Sequence, residues 1–235
     1  MKTLDVAALA LNIALYVALG YIFYTLVPIK FEQVRFWPPV IVPAVFAVVF
    51  GPLVGGLGAA IGIFLSDIML GGDPLLSLMA GVTSNFAAFY LIGYIAKKKT
   101  SWKIPVVGYG VATVLLMGVA YTYANFLFMA IVAICYGVFL LPIVFFKNSK
   151  WHSFAVGSIT GMLVGAAIIG VMVPVFFQFL ASAATPFTAM VALTTFFFTF
   201  FTEIPFILIV GPPIIWAIYR AFPNFRRQEE TREKP

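Results

Sequence analysis

The sequence predicts an all-α integral membrane protein, a polytopic bundle of about eight spans with both termini cytoplasmic, and three observations carry that prediction. Hydrophobic residues make up 63% of the 235 positions and charged residues 9%, against about a quarter charged in soluble domains. Apolar runs longer than about 18 residues recur, each long enough to cross ~30 Å of hydrocarbon. The runs are continuous rather than alternating, so the backbone satisfies itself as helices and not as the strands of a barrel.

Span 1 is Val6–Val27 and span 2 is Pro39–Phe50, short and led by proline. Span 3 is Leu53–Leu70 and span 4 is Leu75–Ala96. Residues Ile104–Phe146 carry no formal charge. At 1.5 Å per residue they are about twice as long as the hydrocarbon is thick, which predicts a hairpin, spans 5 and 6, turning near Tyr121–Asn125. Span 7 is about Phe154–Leu180, and span 8 is about Pro186–Tyr219, broken by Pro205, Pro212 and Pro213.

Charge tests this division independently, because cytoplasmic loops collect Lys and Arg. With the N-terminus inside, the cytoplasmic side holds Lys2, Lys97, Lys98, Lys99, Lys103, Lys147, Lys150, Arg220, Arg226, Arg227, Arg232 and Lys234. Those are 12 of the 14 basic residues, with Lys30 and Arg35 outside. The formal charge of +6 is therefore an orientation signal and not a sign of nucleic-acid binding. Every loop is short, so residues 1–235 read as a single transmembrane domain with a solvated tail at about 223–235.

Four features carry functional expectations. Ala10, Ala14 and Ala18 are four apart, which sets small side chains on one face of span 1. Another helix can approach closely there, from within the chain or from a partner. The first outer loop holds Lys30, Glu32, Arg35, Phe36 and Trp37, a set that suits either a lid over a flat polar ligand or an interfacial anchor. Asp67, Ser84, Asn85 and Glu203 are polar at membrane depth, where a carboxylate is costly and so a functional candidate. Asn12 is assigned to packing. Finally, Phe50-Gly51-Pro52 makes a tight inner turn before the glycine-rich span 3.

Several classes are excluded. There is no Walker A sequence, so the chain alone should not hydrolyse ATP. One histidine, His152, and one cysteine, Cys135, leave no metal-ligand set and no internal disulfide. No Gly-x-Ser-x-Gly or His-Glu-x-x-His motif occurs, so no catalytic residue, cofactor or metal is expected.

The order of these features resembles the substrate-binding S component of energy-coupling factor (ECF) transporters, which import vitamins and other micronutrients. The resemblance rests on the Ala-xxx-Ala span 1, the polar outer loop, the Pro-led span 2 and the Phe-Gly-Pro turn. It continues through the glycine-rich span 3 ending in Ser66-Asp67 and span 4 with Ser84-Asn85-Phe86 and a basic exit. It is clearest over about Val6–Lys99, and the closing Gly211-Pro-Pro with its basic exit also fits. The resemblance implies that Ala10, Ala14 and Ala18 dock on a transmembrane T component, and that two separate ATPase subunits drive the cycle. It implies a ligand in the outer half of the bundle, met by Glu32, Arg35, Phe36, Trp37, Ser84, Asn85 and, on the last helix, Glu203. Riboflavin is a common cargo of that family. A six-helix core would then come from residues 1–99 and about 151–222, with about 104–147 an extra hairpin. From the residues alone two other functions stay open: a solitary proton-coupled carrier using Glu203 or Asp67, and a non-transport scaffold.

Overall fold

A computed structural model describes residues 2–31, 34–98, 101, 103–122, 130, 133, 137, 140, 151–180 and 188–223. Glu32, most of the second arm of the predicted hairpin, including Tyr123, Asn125 and Cys135, and the tail from residue 224 lie outside them.

The chain opens with α1, Thr3–Leu26. A minimal hairpin follows, β1 Lys30–Phe31 antiparallel to β2 Val34–Arg35, pairing Lys30 with Arg35 and Phe31 with Val34. The sequence reading took this segment for an irregular loop. Two-residue strands are too short to show a period of two, and the fold has no other strand among the described residues. A 3-10 turn, Pro38–Val40, leads into α2, Ile41–Val49. This helix is about 14 Å long at 1.5 Å per residue, too short to cross a bilayer. Seven consecutive residues, Val42 to Val48, are buried, so it is an interior helix enclosed by the longer ones.

Gly51 turns the chain with φ +119°, a conformation open to glycine and strained for other residues. Pro52 then occupies the first turn of α3, Pro52–Met69, where its missing N–H costs nothing. The fourth helix, α4, runs Pro74–Ala96 and carries a π segment, Ser77–Val82, near its start. Asp73 caps it, Oδ1 accepting from the backbone N–H of Leu75 at 2.8 Å and Leu76 at 2.9 Å. Next come α5, Lys103–Thr122, and α6, His152–Phe179. The last helix, α7, is Ala189–Ala221.

Helix α7 is continuous through Pro205, Pro212 and Pro213, where the sequence predicted breaks. Each proline removes one backbone hydrogen bond, but packed membrane helices tolerate that loss. Among the described residues five helices are long and apolar enough to cross a membrane: α1, α3, α4, α6 and α7. A run of exposed large side chains, including Leu11, Leu15, Leu65, Val171, Ile209 and Trp216, coats them. Such a surface suits lipid and not water.

The helices α1, α3, α4, α6 and α7 pack in sequence, α2 lies against α1, α3, α4 and α7, and α4 lies along α6. The core holds Tyr16, Ala44, Ala47, Phe89, Ile92, Ile159, Phe200, Ile207 and Ile215. Helix α5 stands to one side. Its buried Tyr109 donates to the Val156 carbonyl at 3.2 Å and meets the Thr160 hydroxyl at 2.7 Å on α6, while Val107, Val111, Val114 and Leu115 are exposed. Chain direction sets Lys2, Lys97, Lys98, Lys103 and Arg220 at one end of the bundle and the hairpin at the other. The first of these ends is tied together by Ser153, whose hydroxyl donates to the Lys98 carbonyl at 2.6 Å.

Candidate ligand cavity beneath the hairpin

A cavity of about 520 Å³ opens under the hairpin and descends to the middle of α1 and α7. That lies within the ~300–1,000 Å³ of small-molecule sites. Its mouth carries Lys30, Arg35, Tyr24, Asp67 and Asp73. Deeper polar groups are Tyr16, Trp37, Ser77, Asn85 and Glu203, and Ile169, Val173, Phe176 and Phe177 of α6 form an apolar wall.

The hairpin is pinned to the bundle by one ion pair. Arg35 Nη1 donates to Asp67 Oδ1 at 2.7 Å, with the two side chains 17% and 19% exposed. The second carboxylate oxygen, Asp67 Oδ2, accepts from the Ser77 hydroxyl at 2.6 Å. The Arg35 guanidinium also lies 5.2 Å from the centre of the Tyr24 ring, within cation–π range. One carboxylate therefore joins the hairpin, α3 and the π segment of α4.

Below this, α1 supplies an inward stripe of Ala8, Asn12, Tyr16 and Gly20, all buried. The Asn12 side-chain amide donates to the Val54 carbonyl at 2.9 Å, tying α1 to α3. The Tyr16 hydroxyl donates to Asn85 Oδ1 at 2.8 Å. The Asn85 amide nitrogen in turn donates to the Gly81 carbonyl at 2.9 Å. That carbonyl belongs to the π segment, whose shifted ladder leaves carbonyls for side chains to bond. Ser84 Oγ donates to the same oxygen at 3.0 Å. Trp37 packs edge-on against Tyr16, ring centres 6.3 Å apart. Gly20 makes room for it, since a Cβ there would fall 2.5 Å from the indole ring.

Glu203 is 7% exposed and lines the same cavity from α7. Among the described residues it has no hydrogen-bond or ion-pair partner. Neither of its oxygens is among the sealed, unpartnered polar atoms of the interior.

The cavity thus gathers Arg35, Trp37, Asp67, Asn85 and Glu203 of the residues singled out by sequence. Phe36 is outside it, packed on Phe206 at 5.6 Å between ring centres. Ser84 is buried behind it and reaches it through Gly81 and Asn85. Sequence reasoning passed over Tyr16, Tyr24, Ser77 and the α6 aromatics. The signal for Tyr16 was present: Ala8, Asn12, Tyr16 and Gly20 share the four-residue spacing of the alanines, and Asn12 and Tyr16 are the polar residues between Val6 and Gly20. Ala10, Ala14 and Ala18 lie on the other side of α1, exposed and turned away from the bundle.

A multi-pass helical bundle enclosing a cavity of this size is the architecture of a membrane protein with room for a small solute. Residues 1–147 match the family described as ECF-type riboflavin transporter, S component, and the chain belongs to it. Members are substrate-binding subunits of transporters and not enzymes. No curated protein and no solved structure matches the chain.

Proposed function

We propose that this chain captures riboflavin or a related vitamin from outside the cell, across the plasma membrane, and delivers it as part of an ECF-type importer with a T component and two ATPase subunits. The supporting observation is the cavity itself: an aromatic and aliphatic wall on α6 faces a hydrogen-bonding floor, under a hairpin held by Arg35 and Asp67. Arg35, Trp37, Asp67, Asn85 and Glu203 serve the ligand site directly in this reading. Phe36 and Ser84 act from behind it, and Glu32, outside the described residues, contributes from the same outer loop of the sequence. The outward end is the hairpin end, because the basic residues gather at the other, as expected of a cytoplasmic face. Ala10, Ala14 and Ala18 form the docking face for the T component. The six packed helices are the binding bundle, and residues of about 104–147 are an addition to it.

The test is direct. The purified chain should quench flavin fluorescence on titration with riboflavin, and mass spectrometry should find a vitamin released on denaturation. A chain that neither carries nor binds a vitamin would sink the proposal.

A further inference from the structure

One side of the cavity carries a chain of polar bonds from mouth to floor, with an interruption at its middle. At the mouth, Asp67 accepts from Arg35 Nη1 at 2.7 Å and from the Ser77 hydroxyl at 2.6 Å. At the floor, the Tyr16 hydroxyl donates to Asn85 Oδ1 at 2.8 Å, and the Asn85 amide donates to the Gly81 carbonyl at 2.9 Å. Ser84 Oγ gives that carbonyl a second donor at 3.0 Å. Ser77 and Gly81 stand on either side of the interruption, and both belong to the π segment Ser77–Val82.

Close packing bridges the interruption. A Cβ on Gly81 would lie 3.1 Å from Asp67 Oδ2 and 3.3 Å from Ser77 Oγ. Those atoms have little room to give. One oxygen of Asp67 is held by Arg35 and the other by Ser77, so displacing the carboxylate lengthens one of two short bonds. Gly81 is in turn fixed from below by the two donors on its carbonyl. A π turn departs from the regular α ladder and is frequent at functional sites. Here it is clasped by the ion pair on one side and by the floor on the other.

We infer that Gly81 is a positioning residue for cargo binding, coupling the ion pair that fastens the hairpin to the Tyr16–Asn85 floor, so that hairpin and floor hold or loosen together. It acts through Asp67 above and Asn85 below, and only a residue without a side chain lets both ends sit on the same turn. The link to cargo rests on the reading that the cavity is the cargo site. The coupling itself is a property of the empty chain, carried by contiguous bonds and packing, and is measured without cargo.

The experiment is hydrogen exchange on the purified full chain in detergent, without ligand. The reporter is the Phe36 amide, which closes the hairpin by donating to the Ile29 carbonyl at 2.9 Å. The control is the α6 backbone around Ile159, which is fully buried. Gly81→Ala, pressing on Asp67, should speed exchange at Phe36 at least about 3-fold, the scale of one weakened hydrogen bond. Ser84→Ala, made behind the cavity and at the floor end of the turn, should do the same by at least about 3-fold. Exchange around Ile159 should not change in either. In an Arg35→Gln background neither substitution should add to the increase, because the ion pair through which both act is gone. Unchanged exchange at Phe36 in either variant overturns the inference. So does an effect that multiplies with Arg35→Gln, or an equal rise around Ile159, since both mark a general loss of stability. If Gly81→Ala does not fold, Ser84→Ala alone decides the coupling. Riboflavin then tests the link to cargo: Gly81→Ala should release it at least about 3-fold faster than the wild type, and no faster than Arg35→Gln once that change is also present. Equal release from Gly81→Ala and wild type overturns the role in binding. A wild-type chain that binds no riboflavin removes that cargo, and the exchange result still decides the coupling.

Discussion

Tyr16 crosses the cavity floor with one phenol, joining α1 to α4 through Asn85. Removing its hydroxyl leaves Asn85 Oδ1 facing the cavity without its donor. Tyr16→Phe should therefore cost about 1 kcal/mol of stability, read as a lowered melting temperature. It should weaken ligand binding by more than that figure implies if the amide turns. The ion pair above behaves differently. Arg35 and Asp67 are each largely withdrawn from water, so deleting one leaves the other uncompensated. Arg35→Gln and Asp67→Asn should each destabilise the chain by about 1–3 kcal/mol, and the double variant by clearly less than the sum. An additive double variant in thermal melts would show that the pair does not hold the hairpin. The two examples also show how far single residues can be read from sequence. A charge at membrane depth announces itself by its cost, which is why Asp67 and Glu203 stand out in the sequence, whereas Arg35 stands out as part of a charged and aromatic outer loop. Tyr16 does not, because a tyrosine in an apolar helix is as much at home at an interface as in a core.

At the scale of elements, α1 has two small-residue faces with different destinations. Ala8, Asn12, Tyr16 and Gly20 turn inward, and Gly20 meets Trp37 so closely that any larger side chain must displace the indole. Gly20→Leu should reduce ligand affinity at least about 10-fold by pushing Trp37 into the cavity, while circular dichroism still reports a helical chain. Ala10, Ala14 and Ala18 turn outward, where bulk disturbs nothing within the chain. Ala10→Trp with Ala14→Trp should leave ligand affinity within about 2-fold and abolish ATP-driven uptake by the whole complex, by blocking close helix approach. Unchanged uptake would remove this face as the docking site. Spacing by four is common to both stripes, and only packing tells which one the bundle claims. The same limit explains the other departures. Proline predicts a break in α7 from local sterics, but neighbouring helices hold the element together across three of them. The π segment and the two-residue strands have no periodic signature, so they emerge only where tertiary contacts, Asp67 to Ser77 and Arg35 to Asp67, fix them.

For the whole molecule, the arrangement separates two tasks along the bundle axis. The cavity and hairpin occupy one end, and Lys2, Lys97, Lys98, Lys103 and Arg220 the other. The long helices that span between them are close-packed below the cavity, where Phe89, Ile92, Ile159, Ile207 and Ile215 are almost fully buried. With this packing beneath it, a ligand held under the hairpin is released on the other side, in the proposed scheme, by reorientation of the bundle itself. A carrier working alone would instead open a path past Glu203 and couple it to protons. The two schemes part in liposomes. The purified chain alone, with riboflavin outside and an inward proton gradient, should bind the vitamin without accumulating it. Adding the T component and both ATPase subunits with ATP should start uptake, and the double tryptophan variant on α1 should stop it again. Proton-driven accumulation by the chain alone would mean that the packed lower half opens and that Glu203 serves as a proton site.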